Sequence, residues 1–316
     1  MSYAQFGTIQ ASDYNNLVGA SVGSTANVLN TVWATGSVGA GYGQTALANV
    51  AVGDTVTASA WANLITKTAN SASHQSSSIT SVTAPSAGNT ITYNANVVTN
   101  LSTIYTNRLN AVSQSGTTAN TATYGATWLN AITFTHTVTF ANGDATRYFF
   151  NSGGQLAITC SHPSGTGINL LLNNLASNVG TVVLSSPVTG AASIAGTSYN
   201  GVTKVGGGGS TPTISTNSGY YNWTTANANV FYQTASTGPS GYLSTFINVL
   251  VKTNGTVGSN GDKGNIITIY TVWDEIPNGL AVSTGSATTV TIRPPETTYL
   301  TNSWGTPTVS GIVSGS

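Results

Sequence analysis

Apolar residues in the first third of the chain recur at helical intervals. Behind Ser12 stand Tyr14, Leu17, Val18, Val22, Leu29, Val32 and Trp33, close to one face of a helix with a serine in front to cap it. A second face follows Thr57 through Trp61, Leu64, Ile65 and Thr68, and a third runs Val97, Leu101, Ile104, Tyr105, Arg108 and Val112. Residues 36–43, with four glycines, end the first pattern, and residues 71–90 and 113–123 are too polar to make cores of their own. Three slim stripes bury little in one copy of the chain. The pattern therefore predicts a symmetric homo-oligomer, with a trimer as one arrangement, that packs Tyr14, Leu17, Trp33, Trp61, Leu64, Leu101 and Tyr105 of each copy together. It also predicts that residues 1–125 are not fully ordered in an isolated monomer.

From Trp128 the period changes to two. Ile132, Phe134, His136, Val138 and Phe140 alternate with Thr133, Thr135, Thr137 and Thr139, which predicts a half-buried strand with a threonine-lined outer face. Asn142-Gly143-Asp144 reads as a turn, and residues 147–150 and 155–160 read as a hairpin around Asn151-Ser152-Gly153-Gly154. Residues 168–178 suit a helix and 179–184 a strand, whereas 185–219, centred on Gly206 to Gly209, reads as a long surface loop. Strand signals return at 229–234, 243–252, 265–273 and 288–293, the middle pair joined through Asn254-Gly255 and Asn260-Gly261-Asp262. The expected fold is mainly β with N-terminal helices: residues 1–125 a helical or extended docking region, residues 126–316 an antiparallel β-sandwich or jelly-roll-like domain.

Charge changes this picture most. Seven basic and seven acidic residues make only 4% of the chain, so Ser, Thr, Asn and Gly must cover its surface, and a formal net charge of zero favours association over free diffusion. Lys67, Arg108, Arg147, Lys204, Lys252, Lys263 and Arg293 form no run, which argues against nucleic-acid binding. No apolar stretch approaches the roughly 18 residues of a membrane helix, and MSYAQFGTIQ has no signal-peptide pattern, so neither membrane insertion nor export by a leader is expected.

Each candidate chemistry has a plain structural counterpart. Cys160 with His136 and His162 lacks zinc-site spacing, and a lone thiol in an alternating stretch suits a small core residue. Asp274 and Glu275 are adjacent and point to opposite faces of a strand, while Asp144 suits a turn residue paired with Arg147. Gly206 to Gly209 lacks the Lys-Ser/Thr of a phosphate loop, and both it and Gly41-Tyr42-Gly43-Gln44 read as flexible turns. No catalytic residue, metal or cofactor is expected. Tyr220, Tyr221 and Trp223 can stack sugars on a receptor-facing surface, and equally suit a core or an interface.

Several segments together carry a resemblance: IQASDYNNL, GYGQ, Trp61-Ala62-Asn63-Leu64 leading to His74-Gln75, and TFTHTVTFANGDATRYFFNSGGQLAIT. Gly219-Tyr220-Tyr221, Val272-Trp273-Asp274 and Trp304-Gly305-Thr306-Pro307 continue it. With these the chain resembles virion structural proteins of tailed bacteriophages, above all those of marine and cyanobacterial hosts. The resemblance implies a non-enzymatic component of the particle in its tail, tail-fibre or baseplate region, with itself and other virion proteins as partners. Two alternatives stay open: a tail-fibre module that binds a host glycan or receptor, and a capsid decoration or self-assembling extracellular filament protein.

Overall fold

The computed structural model describes residues 10–19, 28–35, 41–89, 91, 95–110, 116, 118–186, 192–194, 197–199, 201–216, 218–277 and 279–315. Four helices occupy the first third: α1 (Ala11–Val18), α2 (Leu29–Trp33), α3 (Ala58–His74) and α4 (Ala95–Thr106). Gln10 and Asp13 close α1 as a capping box, and the Thr57 hydroxyl accepts the Ala60 amide at the start of α3. Val22 and Val112 of the expected stripes lie outside the described residues.

These stripes face one another inside a single chain, which corrects the expectation that they need a second copy. Tyr14, Leu17, Trp33, Trp61, Leu64 and Leu101 are all buried, and Tyr105 is half-buried beneath the Arg108 guanidinium. The polar connectors supply what the slim helices lack. Asn15 donates to the Val50 carbonyl at 2.9 Å and accepts its amide at 2.8 Å. Asn30 does the same with Leu47 at 2.9 and 3.0 Å, and Asn100 with Thr80 at 2.7 and 3.1 Å. Each carboxamide thus satisfies both backbone groups of one residue on an extended segment, which lets uncharged connectors lie against the helices without a sheet.

The strands form two principal antiparallel sheets. One has the order β1 (Thr118–Thr123), β12 (Ala287–Arg293), β3 (Gln155–Ser161), β4 (Thr181–Leu184), β7 (Val202–Val205). The other runs β13 (Thr308–Gly315), β2 (Ala131–Thr139), β11 (Ile266–Asp274), β10 (Phe246–Thr253), β9 (Ala228–Thr234), β8 (Thr213–Ile214). A separate pair joins β5 (Ala192–Ile194) to β6 (Thr197–Tyr199). The expected β-sandwich is present, and the alternation read in the sequence sets its faces: Ile132, Phe134, His136 and Val138 are buried while the threonines between them point out. Gly311 on β13 lies against Asn120 of β1, so the two sheets approach closely at that edge. At the other edge the Lys204 ammonium donates to Gln233 Oε1 at 3.0 Å, tying β7 to β9.

Three expectations are corrected. Residues 143–151 are a helix, α5 (Gly143–Asn151), not a hairpin arm: Asn142 is its N-cap and accepts the Ala145 amide at 2.8 Å. The stretch 185–219 is not one loop, since it holds the β5–β6 pair and, after it, β7 and β8, an outer strand of each of the two sheets. The polar segment 113–123 ends in β1, which pairs with β12. The expected second-half helix is α6 (Ile168–Val179), packed against β3 and against β9 and β10.

Candidate functional site

Three places gather the residues singled out in the sequence: the α5 junction, a buried histidine chain, and the open face of the larger sheet. At the junction, α5 carries the Arg-Tyr-Phe-Phe-Asn run between the sandwich and the N-terminal helices. Phe149 and Phe150 turn inward and meet at 5.1 Å edge to face; Phe150 stacks on Tyr220 at 4.7 Å and meets the Trp223 ring at 5.7 Å. Tyr220 and Trp223 are fully buried, and Tyr221 is half-buried with its hydroxyl donating to Asn151 Oδ1 at 2.6 Å. This corrects the expected sugar-stacking surface: the rings fill the core, and burial pushes the Tyr221 hydroxyl up to about 12.

The polar side of α5 holds the N-terminal segment. Arg147, buried despite its charge, donates to Asp144 at 2.9 Å and to the Thr35 carbonyl at 3.0 Å, and Asn260 donates to the same aspartate. The expected Asp144–Arg147 pair is thus present, one helical turn apart. Asn151 donates to the Gly41 carbonyl at 2.9 Å. From there the Gly41-Tyr42-Gly43-Gln44 run, expected to be a flexible turn, is fixed along its length. The Tyr42 hydroxyl donates to the Arg108 carbonyl at 2.6 Å and accepts from Gln75 at 2.8 Å. Gly43 adopts φ 72° against the Tyr148 ring, where a Cβ would collide. Gln44 accepts the Thr301 amide at 2.8 Å and donates to the Thr301 carbonyl at 2.9 Å, the fourth such carboxamide pairing, here joining the N-terminal region to the segment before β13. His74 donates from Nε2 to the Ser152 carbonyl at 3.0 Å, and burial lowers its pKa to about 4.

The second place is a chain of hydrogen bonds inside the sandwich. His162 links Ser286 Oγ, 2.9 Å from Nδ1, to Asn169 Oδ1, 3.2 Å from Nε2. The order resembles a nucleophile relay, but Ser286 is fully buried and its Oγ also accepts from the Trp128 indole at 3.3 Å, so no solute reaches that oxygen in this structure. Burial lowers the His162 pKa and pushes the neighbouring strand's Cys160 thiol up to about 12, which keeps it protonated. His136 is buried between the sheets on the apolar face of β2, as expected, its ring nitrogens facing the Asn120 and Thr288 backbone without hydrogen bonds of standard geometry. Glu275 folds back onto the Gly279 and Leu280 amides at 3.0 and 3.3 Å. Among the described residues no three His, Cys, Asp or Glu side chains are grouped as a metal site.

The third place is a surface. On the outer face of the six-stranded sheet the register lines up Ile312, Thr135, Tyr270 and Leu250 in one row, and Ser314, Thr133, Val272, Asn248 and Tyr232 in the next. Flanking rows carry Ser310, Thr137, Thr268 and Lys252 on one side and Asp274 with Phe246 on the other. The outward residues of β2, β10 and β11 are partly or fully exposed, and Ile312 is 71% exposed. A separate cavity of about 260 Å³ opens between α3 and α4, lined by Ile65, Thr68, Ile79, Val82 and Val97 among others. The rows depend on strand register and the cavity on the packing of α3 against α4, neither of which a sequence pattern encodes.

No known family model matches the chain, and comparison with curated proteins and with solved structures finds no match.

Proposed function

We propose that the chain is a non-enzymatic structural protein of a tailed-phage particle, built into the tail, tail-fibre or baseplate region by contacts between copies and with other virion proteins. The reading rests on the likeness in the TFTHTVTFANGDATRYFFNSGGQLAIT segment and on the near absence of charge. The observation that carries it furthest is the broad outer face of the larger sheet, where Thr, Ser, Ile, Tyr, Leu and Val side chains stand in register with one lysine and one aspartate. An isolated soluble domain ordinarily protects such a face with interspersed charge. A face left neutral suits burial against a neighbour, and short hydroxyl side chains keep it hydrated until then at low entropy cost.

In this reading the N-terminal helices and the α5 junction are a rigid base for the sandwich. Contacts between neutral surfaces, repeated by symmetry, supply the binding strength through multivalency. The test is quantitative proteomics of purified particles and of separated heads and tails. The proposal expects the chain in the tail fraction in a small multiple of the tail symmetry. Its absence from particles overturns the reading, and hundreds of copies in the head fraction overturn the tail assignment in favour of a decoration protein.

A further inference from the structure

The outer face of the six-stranded sheet carries a charge arrangement that matches itself. Its two charged residues sit on neighbouring strands at opposite ends of the face: Lys252 on β10, level with Thr268, and Asp274 on β11, level with Phe246. Between these rows lie two uncharged ones, Leu250 with Tyr270 and Asn248 with Val272. Consider a two-fold axis lying in the contact plane, across the strands, between the two central rows. It lays Tyr270 over Val272, Leu250 over Asn248 and Lys252 over Phe246 of the other copy, with that copy's Asp274 one strand, about 4.8 Å, to the side. Aligned sheets pack about 10 Å apart, a gap that a lysine side chain crosses.

The extent of the face also fits. Five strands of seven to nine residues, at roughly 4.8 Å spacing and about 3.4 Å rise, cover on the order of 650 Å² in plan. A standard interface buries roughly 800 Å² per partner. Its uncharged centre, with Leu250, Tyr270, Val272 and Ile312 among short polar side chains and charge confined to the ends, matches the depletion of charge at the core of such contacts.

We propose that a second copy of this chain docks on this face, sheet to sheet, about a two-fold axis that pairs Lys252 of each copy with Asp274 of the other. The proposal rests on the assembly reading above and names the surface that assembly uses. Like-charge contacts at both ends follow from reversing either residue, whereas two different reversals complement each other in a mixed pair.

The experiment is sedimentation velocity on the full chain in low salt, with Lys252→Asp, Asp274→Lys and an equimolar mixture of the two. Wild type is expected to dimerise, each single variant to weaken the dimer about tenfold or more, and the mixture to regain wild-type association as a heterodimer. Tyr270→Asp, at the centre of the face, is expected to abolish the dimer with the circular dichroism spectrum unchanged. An oligomer that none of these variants alters overturns this face while leaving the assembly reading standing. A wild-type chain monomeric at every concentration, or one whose added ligand is a glycan bound on this face without self-association, overturns the proposal as well.

Discussion

Four carboxamide side chains account for much of how a chain with so little charge keeps its N-terminal third in place. Asn15, Asn30, Gln44 and Asn100 each close two hydrogen bonds on one backbone residue, and Asn30, Gln44 and Asn100 are themselves buried. Removing one leaves a donor and an acceptor unmet in poorly hydrated surroundings. Gln44→Leu is expected to cost roughly 2–3 kcal/mol and to speed hydrogen exchange at the Thr301 amide, read by mass spectrometry. Gly43→Ala meets both a left-handed backbone and the Tyr148 ring; a loss of roughly 2–4 kcal/mol in urea unfolding is expected. Trp223→Ala removes a buried ring and is expected to lower stability by about 3–5 kcal/mol, rather than selectively lowering attachment to a host cell.

His74 gives the pH dependence its sign. Its folded pKa of about 4 lies below the roughly 6.5 of an unfolded histidine, so between those values the unfolded chain binds the extra proton. The stabilisation is complete above about pH 6.5 and is lost as pH falls toward 4, with about 2 kcal/mol gone at pH 5 from this residue alone. His136 and His162 are lowered in the same direction by burial. Urea unfolding at pH 7.5 and pH 5 checks this, and His74→Gln is expected to flatten the difference. None of this was legible residue by residue: an asparagine that clips a backbone and one that hydrates a surface look alike in a sequence, and the distinction lies in partners 17 to 257 positions away.

At the scale of elements, the sequence disclosed what periodicity encodes and missed what tertiary contacts decide. β2, β9, β10, β11 and β12 carry their β-branched and aromatic residues openly, and each appears within a few residues of expectation. α5 does not, because Asn142-Gly143-Asp144 serves equally as a turn or as the cap of a helix, and Arg-Tyr-Phe-Phe has as much strand as helix character. What selects the helix is the three-dimensional setting: Phe149 and Phe150 fill the sandwich end while Arg147 and Asn151 hold the N-terminal segment. Asn142→Ala is expected to destabilise the chain by about 1 kcal/mol through loss of the cap, with α5 amides exchanging first. β1, β7 and β8 were hidden for the opposite reason, since short polar edge strands have little pattern of their own and are ordered by the strand beside them.

For the whole molecule, most of the buried apolar residues from Tyr14 to Trp304 belong to one contiguous cluster. The helical stripes that suggested association are consumed within the chain, so the case for assembly moves from the helices to the outside of the sandwich. That relocation was beyond the sequence, because which rows stand side by side on a sheet depends on register between strands far apart in the chain, such as those that pair Thr133 with Ser314, 181 positions away. The chain carries only 4% charged residues, and the proposed place in a tailed-phage particle is a setting in which many copies meet. The most direct measurement of this account is cryo-electron microscopy of the intact particle at a resolution that traces the chain. The account predicts density for this fold in the tail region, in symmetric copies, with a sheet face buried against a neighbour. A particle without that density, or one in which the chain stands alone with both sheet faces in solvent, contradicts it.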